Sequence, residues 1–178
     1  MKQVWARHPS CRLTVTGMKP DTVANLVAAE DLASAMEDGR VAGVGYVDRP
    51  RLLALYREAA ALPIPLFDDL RSRARFPSKI GEYLASARPV VTTSVGEIER
   101  YLRHGETAYI SPPGDSGAFA ANLLDLLARP ERAAAVGAAG RRLAQERFQY
   151  SVQGARLAGF ISALCEDAAA PRAGTARQ

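Results

Sequence analysis

Cysteine and histidine are nearly absent from this sequence, and their scarcity excludes several kinds of site. Cys11 and Cys165 are the only cysteines, and His8 and His104 are the only histidines. Without a Cys/His cluster, a structural zinc site or a Ser-His-Asp triad has little support. The two cysteines lie far apart in the sequence, so we expect reduced thiols, with a disulfide bridge as the minority alternative.

Long hydrophobic runs and the standard glycine loops are also missing. No run of eighteen apolar residues occurs and the first residues form no apolar segment, so we expect neither a membrane span nor a signal peptide. Gly43 and Gly45 fall inside a predicted strand rather than in a strand-to-helix turn, and no Gly-Lys-Ser/Thr tripeptide is present. An anionic ligand would therefore need a site of another kind.

The overall composition is that of a soluble globular protein. The chain has 178 residues, of which 48% are apolar and 24% charged, and its net charge is +4. This length favours one domain with a sizeable core. A mildly basic chain suits an anionic ligand, an acidic membrane surface or nucleic acid, and the charge alone does not choose among them. Because no basic stripe is interleaved with aromatic residues, nucleic-acid binding is not favoured.

Short apolar runs alternate with helical stretches along most of the chain. The pattern predicts strands at residues 13–16, 41–47, 62–66, 90–93 and 107–111. This order predicts a doubly wound, mainly parallel α/β sheet of the Rossmann-like kind, with helices on both faces. Strands covered on both faces bury their apolar side chains, so we expect burial of Val15, Val44, Ile64, Val90, Val91 and Ile110.

Capping residues and apolar periodicity predict the helices between these strands. We expect helices at residues 21–36, 97–103, 131–145 and 151–166, and others capped by Asp48 or Asp115 or opened by Ser78. Residues 1–167 are predicted to form one α/β domain. Residues 168–178 contain no large apolar side chain and are predicted to form a disordered tail.

Residues 73–93 combine a basic cluster, a helix start and a buried strand. Ser78 is predicted to open a helix, whose unpaired N–H groups and partial positive charge attract anions. Arg73, Arg75 and Lys79 add positive charge, and Glu82 follows one turn inside the helix. This pattern suits a phosphate-bearing ligand, with the carboxylate placed for the sugar hydroxyls of a nucleotide. An ordinary surface crossover with a solvated charge cluster explains the pattern about equally well.

Several motifs follow in order along residues 13–149. They include Val-Gly-Tyr-Val47, Phe-Pro-Ser-Lys-Ile-Gly-Glu-Tyr-Leu84, Ala-Arg-Pro-Val-Val-Thr-Thr93, His-Gly-Glu-Thr107 and Pro-Pro-Gly-Asp115. This ordered set resembles the C-terminal, donor-binding half of retaining GT-B glycosyltransferases of the group 1 type. The resemblance implies half of a GT-B fold that binds a nucleotide-sugar and transfers its sugar, with retention, to an unknown acceptor.

The resemblance also implies roles for particular residues. Ser78 and Lys79 would hold the diphosphate of the donor, and Glu82 would bind the ribose hydroxyls. Tyr46 and Val47 would lie on the loop near the base. No metal ion and no cofactor are expected, because the nucleotide-sugar is a substrate.

Positive groups beside the departing diphosphate are implied to carry the chemistry. Arg73 would bind the donor, and Lys79 and Arg75 would act as catalytic groups by stabilising the charge that develops on the leaving group. Ala74 stands where many family members carry a glutamate that faces the transferred sugar. The residue that recognises the sugar is therefore not identified.

Two features of the family have no counterpart in this sequence. The resemblance begins after the first strand of the usual domain, a strand that would be central in the sheet, and we expect the acceptor domain to lie outside these residues. We expect the partner to be an N-terminal acceptor domain or a separate subunit, and we expect the isolated chain to be inactive. The expected location is cytoplasmic, and a partner could bring the chain to the membrane surface. A non-catalytic module that binds a nucleotide or a partner chain is the alternative.

Overall fold

The structure is a computed structural model that describes residues 1–18 and 30–169. Its strands are β1 (Leu13–Val15), β2 (Val41–Gly43), β3 (Leu62–Ile64), β4 (Val90–Thr93) and β5 (Tyr109–Ser111). Every pairing is parallel: β1 pairs with β2, and β4 lies between β3 and β5. The predicted parallel α/β architecture is confirmed, although its strands form two separate hydrogen-bonded sheets within the described residues.

Helices connect the strands. They are α1 (Lys2–Arg7), α2 (Glu30–Glu37), α3 (Arg49–Glu58), α4 (Leu70–Arg73), α5 (Ser78–Ala85), α6 (Ile98–Tyr101), α7 (Ser116–Ala128), α8 (Pro130–Arg147) and α9 (Tyr150–Ala169). Asp48 and Asp115 cap α3 and α7, as predicted, by accepting the N–H groups of Arg51 and Ala118. The predicted helix start at residue 21 lies outside the described residues. Within the described segments, no helix combines the length and the apolar character needed to cross a bilayer.

The two faces of β4 carry separate cores. Val90 belongs to a cluster with Ile80 of α5 and with Ala144 of α8, whereas Val91 belongs to a cluster with Leu123 of α7. Successive side chains of a strand point to opposite faces, so α5 and the end of α8 cover one face, while α7 and the beginning of α8 cover the other. Helices therefore lie on both faces of the sheet, as the sequence predicts.

Burial departs from the prediction in β1, in β3 and just after β2. Val90, Val91 and Ile110 are buried, whereas Val15 and Ile64 are only half-buried. The prediction for Val44 is wrong, since its side chain is 40% exposed. The ladder of β2 ends at Gly43, so Val44 lies in the following loop and not in a covered strand.

Two threonines of β4 complete the hydrogen bonding where β3 ends. Thr93 Oγ1 accepts the N–H of Leu66 at 2.9 Å and donates to the carbonyl of the same residue at 2.8 Å. Thr92 Oγ1 donates to the carbonyl of Ile64 at 2.9 Å. Pro65 has no N–H to extend the backbone ladder, so these side chains fix the chain as it leaves the sheet toward α4.

Two glycines of α8 allow this helix to lie against the end of α5. A Cβ at Gly137 would overlap the carbonyl oxygen of Ala87, and a Cβ at Gly140 would lie 2.8 Å from a methyl carbon of Leu84 and from the carbonyl oxygen of Thr107. Only a hydrogen at these positions permits such close approach of two backbones. Helix α5, which carries the candidate site, therefore packs closely against α8.

We expect Gly137→Ala to lower the free energy of unfolding by about 1–3 kcal/mol, because the added methyl group has no room. Gly154→Ala is the matched control: it lies in α9 with nothing near its Cβ position, and it should raise stability by about 0.5–1 kcal/mol through helix propensity. Denaturant unfolding of both variants measures the difference. Equal effects at the two positions would contradict the proposed close packing.

Candidate functional site

An aromatic cluster fixes the turn that begins α5. Phe76 stacks on Phe148 with ring centroids 5.2 Å apart and meets the edge of Tyr101 at 5.1 Å. The next residue, Pro77, is buried at the N-cap, and its carbonyl accepts the N–H of Ile80 at 3.0 Å. Ser78 therefore opens the helix, as predicted, and its residue is exposed at the end where the first N–H groups of a helix have no intrahelical acceptor.

Lys79 and Glu82 lie together on the exposed side of α5. Lys79 Nζ is 2.9 Å from Glu82 Oε2, and each side chain is about half exposed, 50% and 51% respectively. This hydrogen bond raises the pKa of Lys79 above its usual value. The structure therefore brings together the lysine predicted to bind the diphosphate and the glutamate predicted to bind the ribose. They form an ion pair, so each partly neutralises the charge of the other.

Tyr56 ties this pair to α3. Its hydroxyl lies 3.4 Å from Glu82 Oε2, a long contact, and its ring meets that of Tyr83 at 5.1 Å between centroids. Burial raises the pKa of the Tyr56 phenol, which keeps it protonated and able to donate. The carboxylate of Glu82 is thus held from two sides, by an ammonium group and by a phenol.

The arginines before α5 differ in their surroundings. Arg73 forms a two-pronged ion pair with Asp68, with distances of 2.6 Å and 2.7 Å, and this pairing holds the pKa of that carboxyl below its usual range. Asp69 caps α4 by accepting the N–H of Ser72 at 2.7 Å. Arg75 is exposed on the segment between α4 and α5. The basic cluster is therefore offset locally by carboxylates that the sequence motif does not include.

A close approach of two loops positions α4. Gly96, after β4, has a φ of +59°, and a Cβ there would lie 3.1 Å from the carbonyl oxygens of Ser72 and Arg73. The loop after β4 therefore packs directly on the backbone that carries Arg73. Both loops leave the carboxyl ends of neighbouring strands, which is the edge where parallel α/β sheets bind ligands.

Two of the predicted residues lie on a different loop. Tyr46 and Val47 connect β2 to α3, and the Tyr46 side chain is 92% exposed. Among the described residues, no hydrogen bond or ring contact joins either of them to Lys79 or Glu82. The structure therefore assembles Lys79 and Glu82 with Tyr56, and it leaves Tyr46 and Val47 apart from them.

Two cavities lie beside this site rather than in it. One cavity of about 460 Å³ lies between β1 and β3, and another of about 440 Å³ lies near the carboxyl ends of β3 and β5. None of the predicted site residues lines either cavity, although Tyr56 and Tyr83 line the first. In residues 1–18 and 30–169, no group of three or more metal-ligating side chains is found.

Sequence reasoning missed two residues that shape the site. Tyr56 is twenty-six positions before Glu82, and Asp68 is five positions before Arg73. Neither belongs to the Pro-Ser-Lys motif. A tyrosine in a helix with one apolar side predicts packing, and only the folding of α3 beside α5 brings its hydroxyl to the carboxylate.

Comparison with known proteins assigns the chain to a family. The sequence model of the family Glycosyl transferases group 1 matches residues 1–129, so the chain belongs to this family. A GDP-mannose-dependent alpha-(1-6)-phosphatidylinositol monomannoside mannosyltransferase of Mycolicibacterium smegmatis is 38% identical over 81 residues. That match covers 46% of this chain and 21% of the relative. The chain thus spans about a fifth of the length of this curated relative.

Solved structures show the same fold. The C-terminal domain of a group 1 glycosyl transferase from Francisella tularensis superposes with a TM-score of 0.66 at 18% identity, over 83% of this chain and 74% of that domain. Anabaena HepE in complex with UDP-glucose superposes with a TM-score of 0.70 at 17% identity, over 92% of this chain and 45% of HepE. The fold is that of the C-terminal half of GT-B glycosyltransferases.

We expect Gly96→Ala to destabilise the protein more than Gly114→Ala. Both glycines have positive φ, so each alanine carries a backbone strain of about 1–2 kcal/mol. Only Gly96 has backbone atoms close to its Cβ position, which adds about 1–3 kcal/mol of overpacking. Chemical denaturation measures both variants, and amide exchange at α4 should quicken only in Gly96→Ala. Equal destabilisation would show that the loop does not hold α4.

Proposed function

We propose that this chain is the donor-binding half of a retaining glycosyltransferase. It binds a nucleotide-sugar, and the sugar passes with retention to an acceptor held by an N-terminal domain or a separate subunit. The observation that carries the proposal is the exposed pair of Lys79 and Glu82 at the fixed beginning of α5. An anion site and a hydroxyl-binding carboxylate there lie within one helical turn.

Donor binding requires the ion pair to open. Lys79 turns from Glu82 toward the diphosphate, where the outward N–H groups at Ser78 also point. Glu82 is then free to accept hydrogen bonds from the two ribose hydroxyls, and the hydroxyl of Tyr56 keeps its carboxylate in place. The lysine exchanges one anionic partner for another, so opening the pair costs little charge stabilisation.

The leaving group is the nucleoside diphosphate, and its charge grows as the glycosidic bond breaks. Lys79 and Arg75 stabilise that charge, and the first turn of α5 adds the partial charge of its N–H groups. Arg73 uses its Nε and Nη2 to bind Asp68, and it binds the donor through its other guanidinium N–H groups. We propose that this set works without a metal ion.

The names of similar proteins support a nucleotide-sugar as the donor. The mycobacterial relative is named for its dependence on GDP-mannose, and HepE was solved with UDP-glucose. Both ligands share a ribose and a diphosphate, which are the parts that Glu82 and Lys79 would contact. The proposal therefore names the class of donor and leaves its base and sugar open.

A non-catalytic binding module is the second candidate. The mutual neutralisation of Lys79 and Glu82 favours it, and so does the position of the site outside the two cavities. Such a module would bind nucleoside diphosphate and would never release sugar from a donor. Donor hydrolysis or transfer by the chain joined with an acceptor domain separates the two candidates.

We expect Glu82→Gln to weaken binding of UDP or GDP by about 1–3 kcal/mol, because charge-assisted bonds to the ribose are lost. Inorganic pyrophosphate has no ribose, and the variant also releases Lys79, so pyrophosphate binding should not weaken. Calorimetric titration measures both ligands, and Glu146→Gln, at an exposed residue of α8, is the control for a lost surface carboxylate. Equal losses for the two ligands would reject the ribose role.

We expect Lys79→Ala to weaken UDP, GDP and pyrophosphate alike. Its effect should shrink between 0.05 M and 0.5 M salt, because the contact is an exposed charge pair that salt screens. Titrations at the two salt concentrations test this. A folded wild-type chain that binds none of the three ligands would contradict donor binding by the isolated half.

A further inference from the structure

We propose that Tyr56 is a positioning residue that makes the donor site selective for ribonucleotides over 2′-deoxyribonucleotides. Its hydroxyl fixes the carboxylate of Glu82, so that each of the two carboxylate oxygens faces one hydroxyl of the ribose. The inference rests on the proposed function, and it narrows the donor to sugar esters of ribonucleoside diphosphates. Three features of the site support it: the burial of Tyr56, the exposure of Glu82 and the exchange of partners by Lys79.

The ring of Tyr56 is held between two helices. Tyr56 lies on α3 with only 6% of its surface exposed, and its ring meets that of Tyr83 edge-on, with centroids 5.1 Å apart. Because Tyr83 follows Glu82 directly in α5, this ring contact sets the distance from the Tyr56 hydroxyl to the helix that carries the carboxylate. A buried ring in such a contact has little freedom to turn away.

The hydroxyl of Tyr56 donates to the carboxylate of Glu82. It lies 3.4 Å from Glu82 Oε2, and burial raises the pKa of the phenol, which therefore stays protonated at neutral pH. The distance is longer than that of an ordinary O–H···O bond, and such bonds are often long in ligand-free sites and shorten in the complex. A buried hydroxyl also favours keeping a partner, because leaving it unpaired costs free energy.

Glu82 depends on this contact because its side chain is otherwise free to move. The side chain is 51% exposed, and an exposed glutamate samples several staggered rotamers. Lys79 restrains it in the free protein, at 2.9 Å from Oε2, but in the proposed function this lysine turns to the diphosphate. Tyr56 is the contact that stays. The carboxylate is therefore already oriented when the ribose arrives, which lowers the entropic cost of binding.

The carboxylate keeps one acceptor position for each ribose hydroxyl. Lys79 and Tyr56 both contact Oε2, and among the described residues no hydrogen bond or ion pair reaches Oε1 of Glu82. Each carboxylate oxygen can accept two hydrogen bonds. Once Lys79 has turned away, Oε2 accepts one ribose hydroxyl beside Tyr56, and Oε1 accepts the other. A nucleotide without the 2′-hydroxyl leaves one oxygen unpaired, and the fixed carboxylate cannot turn to compensate.

Titration calorimetry of the full chain tests the selectivity. The probes are UDP, GDP and the 2′-deoxy form of each. We expect the wild-type chain to bind a ribonucleotide about tenfold more tightly than its deoxy form, the effect of one lost hydrogen bond to a charged group. A larger factor is not expected, because water reaches the half-exposed Glu82 and partly replaces the missing hydroxyl.

Tyr56→Phe keeps the ring and removes the hydroxyl. It should lower the ratio of the two affinities from about tenfold to about threefold or less, by weakening the ribonucleotide, and change pyrophosphate binding by less than about twofold. Tyr83→Phe is the matched control, because it removes a hydroxyl from the same ring pair, and the described residues show no bond from that hydroxyl to Glu82. It should keep the wild-type ratio. Destabilisation alone would weaken every ligand alike, so the ratio separates positioning from folding.

The outcomes distinguish this inference from the proposed function. Equal affinity of the wild-type chain for a ribonucleotide and its deoxy form would overturn the selectivity and leave donor binding intact. An unchanged ratio in Tyr56→Phe, or an equal fall in Tyr83→Phe, would overturn the role of Tyr56. A folded wild-type chain that binds none of the nucleotides would contradict the donor site itself, and the selectivity with it.

Discussion

The burial of β4 on both of its faces is the constraint on which the rest of this structure depends. Val90 and Val91 point to opposite cores, one covered mainly by α5 and the other mainly by α7, and α8 contributes to both. The same strand then uses Thr92 and Thr93 to hold the end of β3. The segments that carry Arg73 and Ser78 follow β3, and the loop of Gly96 follows β4, so their positions depend on this strand.

Electrostatics at the site are set by local pairing more than by net charge. The basic residues of the motif suggest a strongly positive anion site, yet Glu82 pairs with Lys79 and Asp68 pairs with Arg73. These exposed pairs contribute little to stability, because water and salt screen them. Under the proposed donor binding, each cation would exchange a carboxylate for a phosphate. Such an exchange favours ligands that carry several charges.

The described strands form two hydrogen-bonded sheets, and the cavity between β1 and β3 separates them. The fold superposes on the C-terminal half of solved GT-B proteins. Within the described residues, β1 and β3 each have one edge beside this cavity that pairs with no strand. Exposed parallel edges are unusual, because backbone groups without partners invite association. Pro63 and Pro65 have no N–H, so the end of β3 lacks two backbone donors.

The amino-acid sequence by itself determined the α/β class, the caps at Asp48 and Asp115 and the helix start at Ser78, because these depend on local periodicity and on short-range hydrogen bonds. It predicted that Lys79 and Glu82 share a helix face for the same reason. Only the tertiary structure decided that Val44 is exposed, that Tyr56 reaches Glu82 and that Asp68 holds Arg73. Burial and long-range contacts depend on which elements become neighbours, and local patterns do not encode that choice.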